Sequence, residues 1–273
     1  MTRRISAKFK NDVEHIPYAA SYELAALKSH WSSLEKQIKK KRRALAQLIP
    51  KDDPIRFTVD LLTPLGRIAD ETLHTRALAY LLDGDAGHGL GRSVLNSLLM
   101  QIANVRRGTG ASQVSALARR QRTRICVIPE YRYSIEGIRN RSVARCDIWI
   151  TIESRKAKAL AVIENKIGAP ESRGQLGWYQ RKALTWCKSH HARAPILIFL
   201  SPDRIKKEGW VSLSYVDLAC ALRRVRRRNR GAAGWAWLGF YIAAITNGVL
   251  KADVRRPQDI DTDALNAYLG RKR

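Results

Sequence analysis

Two apolar, β-branched runs, residues 143–152 and 159–163, stand on either side of a polar turn, Glu153-Ser154-Arg155-Lys156. Runs of this composition around a turn read as the two strands of a hairpin. Residues 195–200 form a shorter, continuously apolar run, which suits a central strand covered on both faces. Two further β-rich stretches fall at 123–128 and 211–214. Helical spacing of apolar residues marks 70–82, 92–105, 112–120, 172–189, 216–227, 234–249 and 262–269. The order helices, strands, helix, strand, helices predicts an α/β domain with a central sheet flanked by helices.

Ahead of this domain, residues 18–48 predict one long helix. Leu24, Leu27, Trp31, Leu34, Ile38, Leu45 and Leu48 step by three and four, Lys41 interrupts the seam, and Pro50 and Pro54 close it. Such a narrow apolar stripe suits packing on a partner helix, including a second copy of the same helix. The expected division is a basic helical extension over 1–55 and a main domain over 56–273.

Residues 231–250 carry no charge, and by length alone could span a bilayer. They also hold four glycines with Thr246 and Asn247, which favours a buried core helix, so no membrane partner is expected. The N-terminal residues include no apolar signal-like stretch. Four widely spaced cysteines, without a Cys-x-x-Cys or Cys/His cluster, argue against zinc and a disulfide framework and fit a reduced, cytoplasmic protein. Fifty Lys and Arg against 24 Asp and Glu leave a formal charge of +26. A field of that size selects anionic partners, nucleic acid first among them. The basic runs at 36–43 and 223–230 are solvated faces by default and good backbone-phosphate contacts in a chain this basic.

The hairpin strands also carry chemistry. Asp147 lies within the first, and the second ends in Ile163-Glu164-Asn165-Lys166. Strict alternation puts Asp147, Trp149 and Thr151 on one face, with Cys146, Ile148 and Ile150 on the other. Glu164 and Lys166 share a face, with Asn165 opposite. Pairing near the strand ends brings Asp147, Glu164 and Lys166 to one sheet edge. Two carboxylates can hold a hard divalent cation if water and phosphate complete its shell. A lysine can steer a water, or accept its proton where surroundings lower the lysine pKa. Downstream, Gln175 and Tyr179 share a helix face.

These residues resemble the PD-(D/E)xK nuclease superfamily, the restriction-endonuclease-like fold, and within it bacterial members of the RecB and lambda-exonuclease type. The likeness begins with a helix of the form Glu-x-x-His-(Ser/Thr)-x-x-Leu-Ala-x-Leu-Leu-Asp, here from Glu71 and His74 to Asp83, followed by His88-Gly89-Leu90-Gly91. It continues through Asp147, residues 163–166, Gln175 and Tyr179, to Leu200-Ser201-Pro202-Asp203. The resemblance implies a mixed sheet flanked by helices and a Mg2+- or Mn2+-dependent nuclease acting on nucleic acid, most readily DNA, leaving 5′-phosphate and 3′-hydroxyl ends. Asp147 and Glu164 would ligate the metal. Lys166 would position and activate water, and Glu71 would act as a further acid or water-mediated ligand. Gln175 and Tyr179 would contact the metal shell or substrate. Genome defence is a common setting for such families. Cys146 stands where the superfamily name has Pro, and Gly177 is unusual inside a helix; close approach to the sheet or to nucleic acid is one reason for it.

His74, three residues after Glu71, is a candidate substrate contact. Glu130, after a strand, is a candidate further acid, whereas His88 between glycines reads as loop structure. Two other readings stay open: a catalytically silent nucleic-acid-binding protein on the same fold, and an interaction or membrane-associated protein using the N-terminal helix or residues 231–250.

Overall fold

The computed structural model describes residues 20–134, 143–168, 174–251, 266, 268 and 269. Two compact units divide at Ile49 and Pro50. The first contains helix α1 (Ala20–Gln47), whose Leu27, Trp31, Leu34 and Ile38 are exposed.

The sheet of the second unit has five strands in sequence order: β1 (Arg124–Ser134), β2 (Val143–Glu153), β3 (Lys158–Asn165), β4 (Ile196–Ser201) and β5 (Val211–Ser214). The first three are antiparallel and the last two add in parallel, so the sheet is mixed. A parallel neighbour needs a crossover, which α5 (Gln175–Ser189) supplies between β3 and β4. The remaining helices are α2 (Glu71–Leu82), α3 (Ser93–Val105), α4 (Ala111–Ala118), α6 (Tyr215–Arg228) and α7 (Trp235–Ala244), the last running into a π turn at Ile245–Val249. The architecture is the α/β, restriction-endonuclease-like arrangement expected.

Burial explains the sheet. β3 is buried from Ala159 to Asn165 and β4 along its whole length, as residues covered on both faces must be. Leu160, Val162, Leu197 and Phe199 pack with Leu176, Tyr179, Ala183 and Cys187 of α5. β1 runs six residues beyond the expected strand, through Pro129 and Glu130. It is an edge strand, where a missing N–H is tolerated. α2 begins where Asp70 accepts the Leu73 N–H at 3.0 Å, and α6 begins with a Ser214/Asp217 capping box.

Two features depart from the pattern. Cys146 joins the same buried cluster as Trp149, a residue of opposite parity, so strand alternation changes at Asp147. Across the ladder at that step stands Glu130, whose φ of +51° is left-handed; pairing is regular up to Pro129↔Ile148 and resumes at Tyr131↔Cys146. The Arg223–Arg230 run is also only partly a solvated face. Arg226 is buried, stacked 3.7 Å from the Trp235 ring centroid, and Arg223 bonds Asp53 at 2.6 Å, while Arg227, Arg228 and Arg230 are exposed. Of the six arginines three thus point outward and two inward, with Arg224 half-buried on Gln101 Oε1 at 2.6 Å, because one face of α6 lies on aromatic and polar neighbours.

Most of residues 231–250 form α7 and its π turn, Trp235–Ala244 and Ile245–Val249, with Leu238, Tyr241, Ile242, Ala243, Ala244 and Ile245 fully buried. Gly239 lies where a side chain would strike Arg226 and Phe57, and Gly248 where it would strike Ile68. No described helix is long and apolar enough to cross a membrane. The predicted 262–269 helix falls almost entirely outside the described residues.

Candidate active site

The site forms where β2 and β3 end beside the start of α2. Antiparallel pairing of Ile148 with Ile163 places the next step, Asp147 and Glu164, side by side. Asp147 Oδ2 accepts the Asn165 backbone N–H at 2.7 Å, which ties the first acid to the strand bearing the second. Lys166 follows directly, and its backbone N–H is held by the Leu200 carbonyl of β4 at 2.8 Å. Its ammonium lies between two carboxylates, 2.9 Å from Glu71 Oε1 and 3.0 Å from Glu164 Oε1. The second oxygen of Glu71 accepts the Ile167 N–H at 3.0 Å. Glu71, Asp147, Glu164 and Lys166 therefore meet as the sequence predicts, although Glu71 spends both oxygens on the segment carrying Lys166.

Charge and burial set the protonation. Glu164 is fully buried, and desolvation first, then the Asp147 charge, push its pKa up to about 8. Asp147 is raised for the same leading reason, burial. Glu164 Oε2 has no hydrogen-bond partner among the described residues. For Lys166, burial favours the neutral amine, but the Glu164 charge and hydrogen bonds to Glu71 and Glu164 outweigh it and raise its pKa. This corrects the lowered lysine pKa considered above: pairing with two acids raises the Lys166 pKa and favours its charged form.

Gln175 and Tyr179 reach the site from α5 in different ways. Gln175 Nε2 donates to Glu164 Oε1 at 2.8 Å and to Tyr179 Oη at 2.7 Å. Tyr179 is buried and donates to the Arg145 carbonyl at 2.5 Å. Its hydroxyl thus fixes Gln175 against β2, and a direct substrate contact is excluded by its burial. Gly177 has only the tip of Arg181 nearby, at 3.5 Å from a would-be Cβ, so close approach to the sheet is not the reason for it.

His74 is corrected outright. It is completely buried, bonded through Nε2 to the Ile68 carbonyl at 2.9 Å and flanked by the Tyr215 and Tyr241 rings. Burial lowers its pKa. It belongs to the core beneath the site. His88 is likewise a loop residue, accepting the Leu90 N–H at Nδ1 and bonding the Asp83 carbonyl through Nε2.

Asn165 is the residue the sequence reading undervalued. Its side-chain amide donates to the Glu71 carbonyl at 3.2 Å and to Thr75 Oγ1 at 3.1 Å, and its oxygen accepts from Tyr215 Oη at 2.8 Å. One side chain thereby sets α2, α6 and β3 against each other. The available signal was an amide at the end of a buried apolar strand, where β-propensity disfavours it.

The donor set fits a divalent cation. An unpartnered buried carboxylate oxygen, beside a second acid also disfavoured as an anion, is an environment that a cation would relieve. Among the described residues, no three His, Cys, Asp or Glu side chains converge as a metal nest. The candidate ligands are thus the pair Asp147 and Glu164, with Lys166 between Glu164 and Glu71.

A family model described as the PD-(D/E)XK nuclease superfamily matches residues 59–236, well over half of the chain. No curated protein and no solved structure matches it.

Proposed function

The chain belongs to the PD-(D/E)XK nuclease superfamily, and we propose that it is a divalent-metal-dependent nuclease acting on DNA. The superfamily is generally one of nucleases, typically using divalent metals, and nucleic acid is the implied substrate class. The observation that carries the reading is the buried, unpartnered Glu164 oxygen beside Asp147, with Lys166 held charged at the same point. Asp147 and Glu164 would hold Mg2+ or Mn2+. The ion would supply Lewis acidity toward a phosphate oxygen and lower the pKa of a water.

The protein's own groups supply the rest. Lys166 donates N–H to water or phosphate and offsets negative charge as the phosphorus becomes five-coordinate. Glu71 holds Lys166 in place and reaches an ion's shell through water. Gln175 keeps Glu164 Oε1 oriented, and Tyr179 keeps Gln175 oriented. Attack by water on the phosphorus with departure of the 3′ oxygen leaves 5′-phosphate and 3′-hydroxyl ends. The +26 charge supports sequence-independent affinity with a steep salt dependence.

The test is incubation of purified protein with plasmid, linear duplex and single-stranded DNA, and with RNA, in Mg2+, Mn2+ or EDTA. Cleavage of DNA in either metal, lost in EDTA and in Asp147→Asn, is the expected result. Metal-dependent cleavage confined to RNA would change the substrate but keep the chemistry. Binding without cleavage in every arm would move the protein to the silent-binder reading.

A further inference from the structure

Beside the acidic pair is a cluster that the proposed chemistry does not use. Glu130 of β1 faces Asp147 across the interrupted step of the ladder. One of its oxygens bonds Arg76 of α2 at 2.9 Å and the other bonds Arg145 of β2 at 3.1 Å. Both guanidiniums are about half exposed or more, at 60% and 48%, and make no other hydrogen bond or ion pair among the described residues. Arg145 lies two residues from Asp147, and its charge acts on that carboxylate. Arg76 comes from the helix that begins with Glu71. A single carboxylate therefore gathers two arginines, from separate elements, at the edge of the site. It does so from a left-handed backbone that a non-glycine residue adopts only when its surroundings impose it.

We propose that Glu130 holds Arg76 and Arg145 as a fork of guanidiniums that binds a nucleic-acid phosphate adjacent to the one at the acidic pair. Each guanidinium has five N–H donors and uses one on Glu130, leaving most of its donors for phosphate oxygens. Two arginines against one carboxylate leave the cluster positive, whereas the neighbouring catalytic pocket is acidic. The polymer backbone would thus be gripped one step away from the place where the ion is needed. Glu130 is a positioning residue here. An ion pair that only fastened α2 to β1 would leave nucleic-acid binding unchanged when removed.

The inference rests on the nuclease reading for the reaction, but its test does not need cleavage. Binding of a short DNA duplex is measured against salt, in the Asp147→Asn background and without metal. Arg76→Ala with Arg145→Ala is expected to weaken binding and to reduce the salt slope by about one, the count for the single phosphate held by the fork. Single neutral methylphosphonates walked along the strand should weaken the parent at one position and leave the double variant indifferent there. Arg76→Lys with Arg145→Lys keeps the charge, and should recover the slope but not the full affinity. Glu130→Gly removes the clamp while relieving the backbone, and should still weaken binding. An unchanged slope in the alanine variant, with an unchanged melting temperature, overturns the fork. Cleavage absent from every arm, with the slope change present, would remove the nuclease reading and leave the fork standing.

A separate observation carries a second inference, about α1. Residues 24, 31, 38 and 45 and residues 27, 34, 41 and 48 alternate by three and four without a slip, a strict seven-residue repeat. Along it Leu27, Trp31, Leu34 and Ile38 are between 38% and 64% exposed. We infer that this seam is covered by the same seam of a second copy, in a parallel, in-register coiled coil. Sequence complementarity at the flanking positions argues for that occupant: position 23 (Glu) falls opposite 28 (Lys), 30 (His) opposite 35 (Glu) and 37 (Gln) opposite 42 (Arg), so the only like-charge contact is Lys41 with its own copy. Lys41 is the one polar layer, which lowers affinity and disfavours shifted registers. Sedimentation equilibrium of the full chain should give a dimer. Leu34→Glu with Ile38→Glu should give a monomer that keeps its nuclease-domain melting transition. Leu34→Cys should form a disulfide-linked dimer on oxidation that the parent does not form. A monomeric parent at all concentrations, or a dimer that survives the double glutamate change, overturns it.

Discussion

The two sides of the candidate site differ in how completely their polar groups are satisfied. On the α2 side, Asn165 bonds the Glu71 carbonyl, Thr75 and Tyr215, and both Glu71 oxygens accept hydrogen bonds. On the β2 side, Glu164 is buried beside the half-buried Asp147, both are disfavoured as anions, and one Glu164 oxygen has no partner among the described residues. A satisfied network fixes geometry, whereas an unsatisfied buried carboxylate costs free energy until something positive arrives. On the proposed nuclease reading, the first side is scaffold and the second is machinery. Mutations should therefore leave opposite signatures: loss of activity with little loss of stability on the β2 side, and loss of both on the α2 side.

The largest expected effect is on the machinery. Asp147→Asn and Glu164→Gln should each lower kcat/KM by at least about 10³-fold, as expected when charge stabilisation at the reacting phosphate is removed. Mn2+ binding, read by calorimetry, should be lost with it. Retained cleavage in either variant would break the comparison at its centre. Lys166→Ala should follow at roughly 10²–10³-fold, with metal binding retained, because it removes an N–H donor and not a ligand. If Lys166→Ala instead lost metal binding along with activity, the ammonium would be arranging the acids.

Asn165→Leu tests the scaffold. It removes three hydrogen bonds and strands Tyr215 Oη in the core, so stability should fall by about 2–4 kcal/mol, with activity falling through misplacement of Glu71. Urea denaturation gives the first quantity, and cleavage under native conditions the second. A variant with unchanged stability and no activity would place Asn165 among the reacting groups and erase the distinction.

The same division separates what the chain reveals on its face from what only the fold supplies. Asp147, Glu164 and Lys166 are legible because period-two strands make their positions local consequences of the sequence. Glu71 is legible only through the family resemblance; the helix that carries it shows a clear apolar face, but nothing in that spacing marks its first residue for the site. His74 misled for a physical reason: three residues from Glu71 is the same face of a helix, but that face turns into the core just past its first turn. The Asn165 side-chain bonds and the Glu130–Arg76 pair join residues 50 or more apart, and the Glu130–Arg145 pair joins residues 15 apart across the ladder, so no local spacing encodes them. Arg226 reads as one more surface arginine until Trp235 and Phe57 close over it.

The smallest expected effect is also the most diagnostic, since it should have opposite signs in stability and activity. Glu164 has an ordinary pKa of 4.5 and a folded-state value of about 8, so between those values the native state holds more protons than the unfolded chain. Stability should therefore be greatest, as far as this group is concerned, below about pH 4.5, and should fall as pH rises toward 8. Lys166 has its raised pKa in the alkaline range and stays charged throughout that window, and Asp217, held low by Arg204 and Ser214 against the opposing effect of burial, acts only in acid. Glu164→Gln removes the buried charge while leaving Lys166 paired with Glu71. Without metal, it should raise stability at pH 8 by about 1–3 kcal/mol and flatten the slope between pH 5 and 8. Saturating Mg2+ should stabilise the parent by mass action and leave the variant unmoved. Thermal denaturation across pH, with and without Mg2+, reads all three quantities. A Glu164→Gln protein less stable than its parent at pH 8 would show that this carboxylate is already satisfied in the free protein, and that the β2 side is scaffold as well.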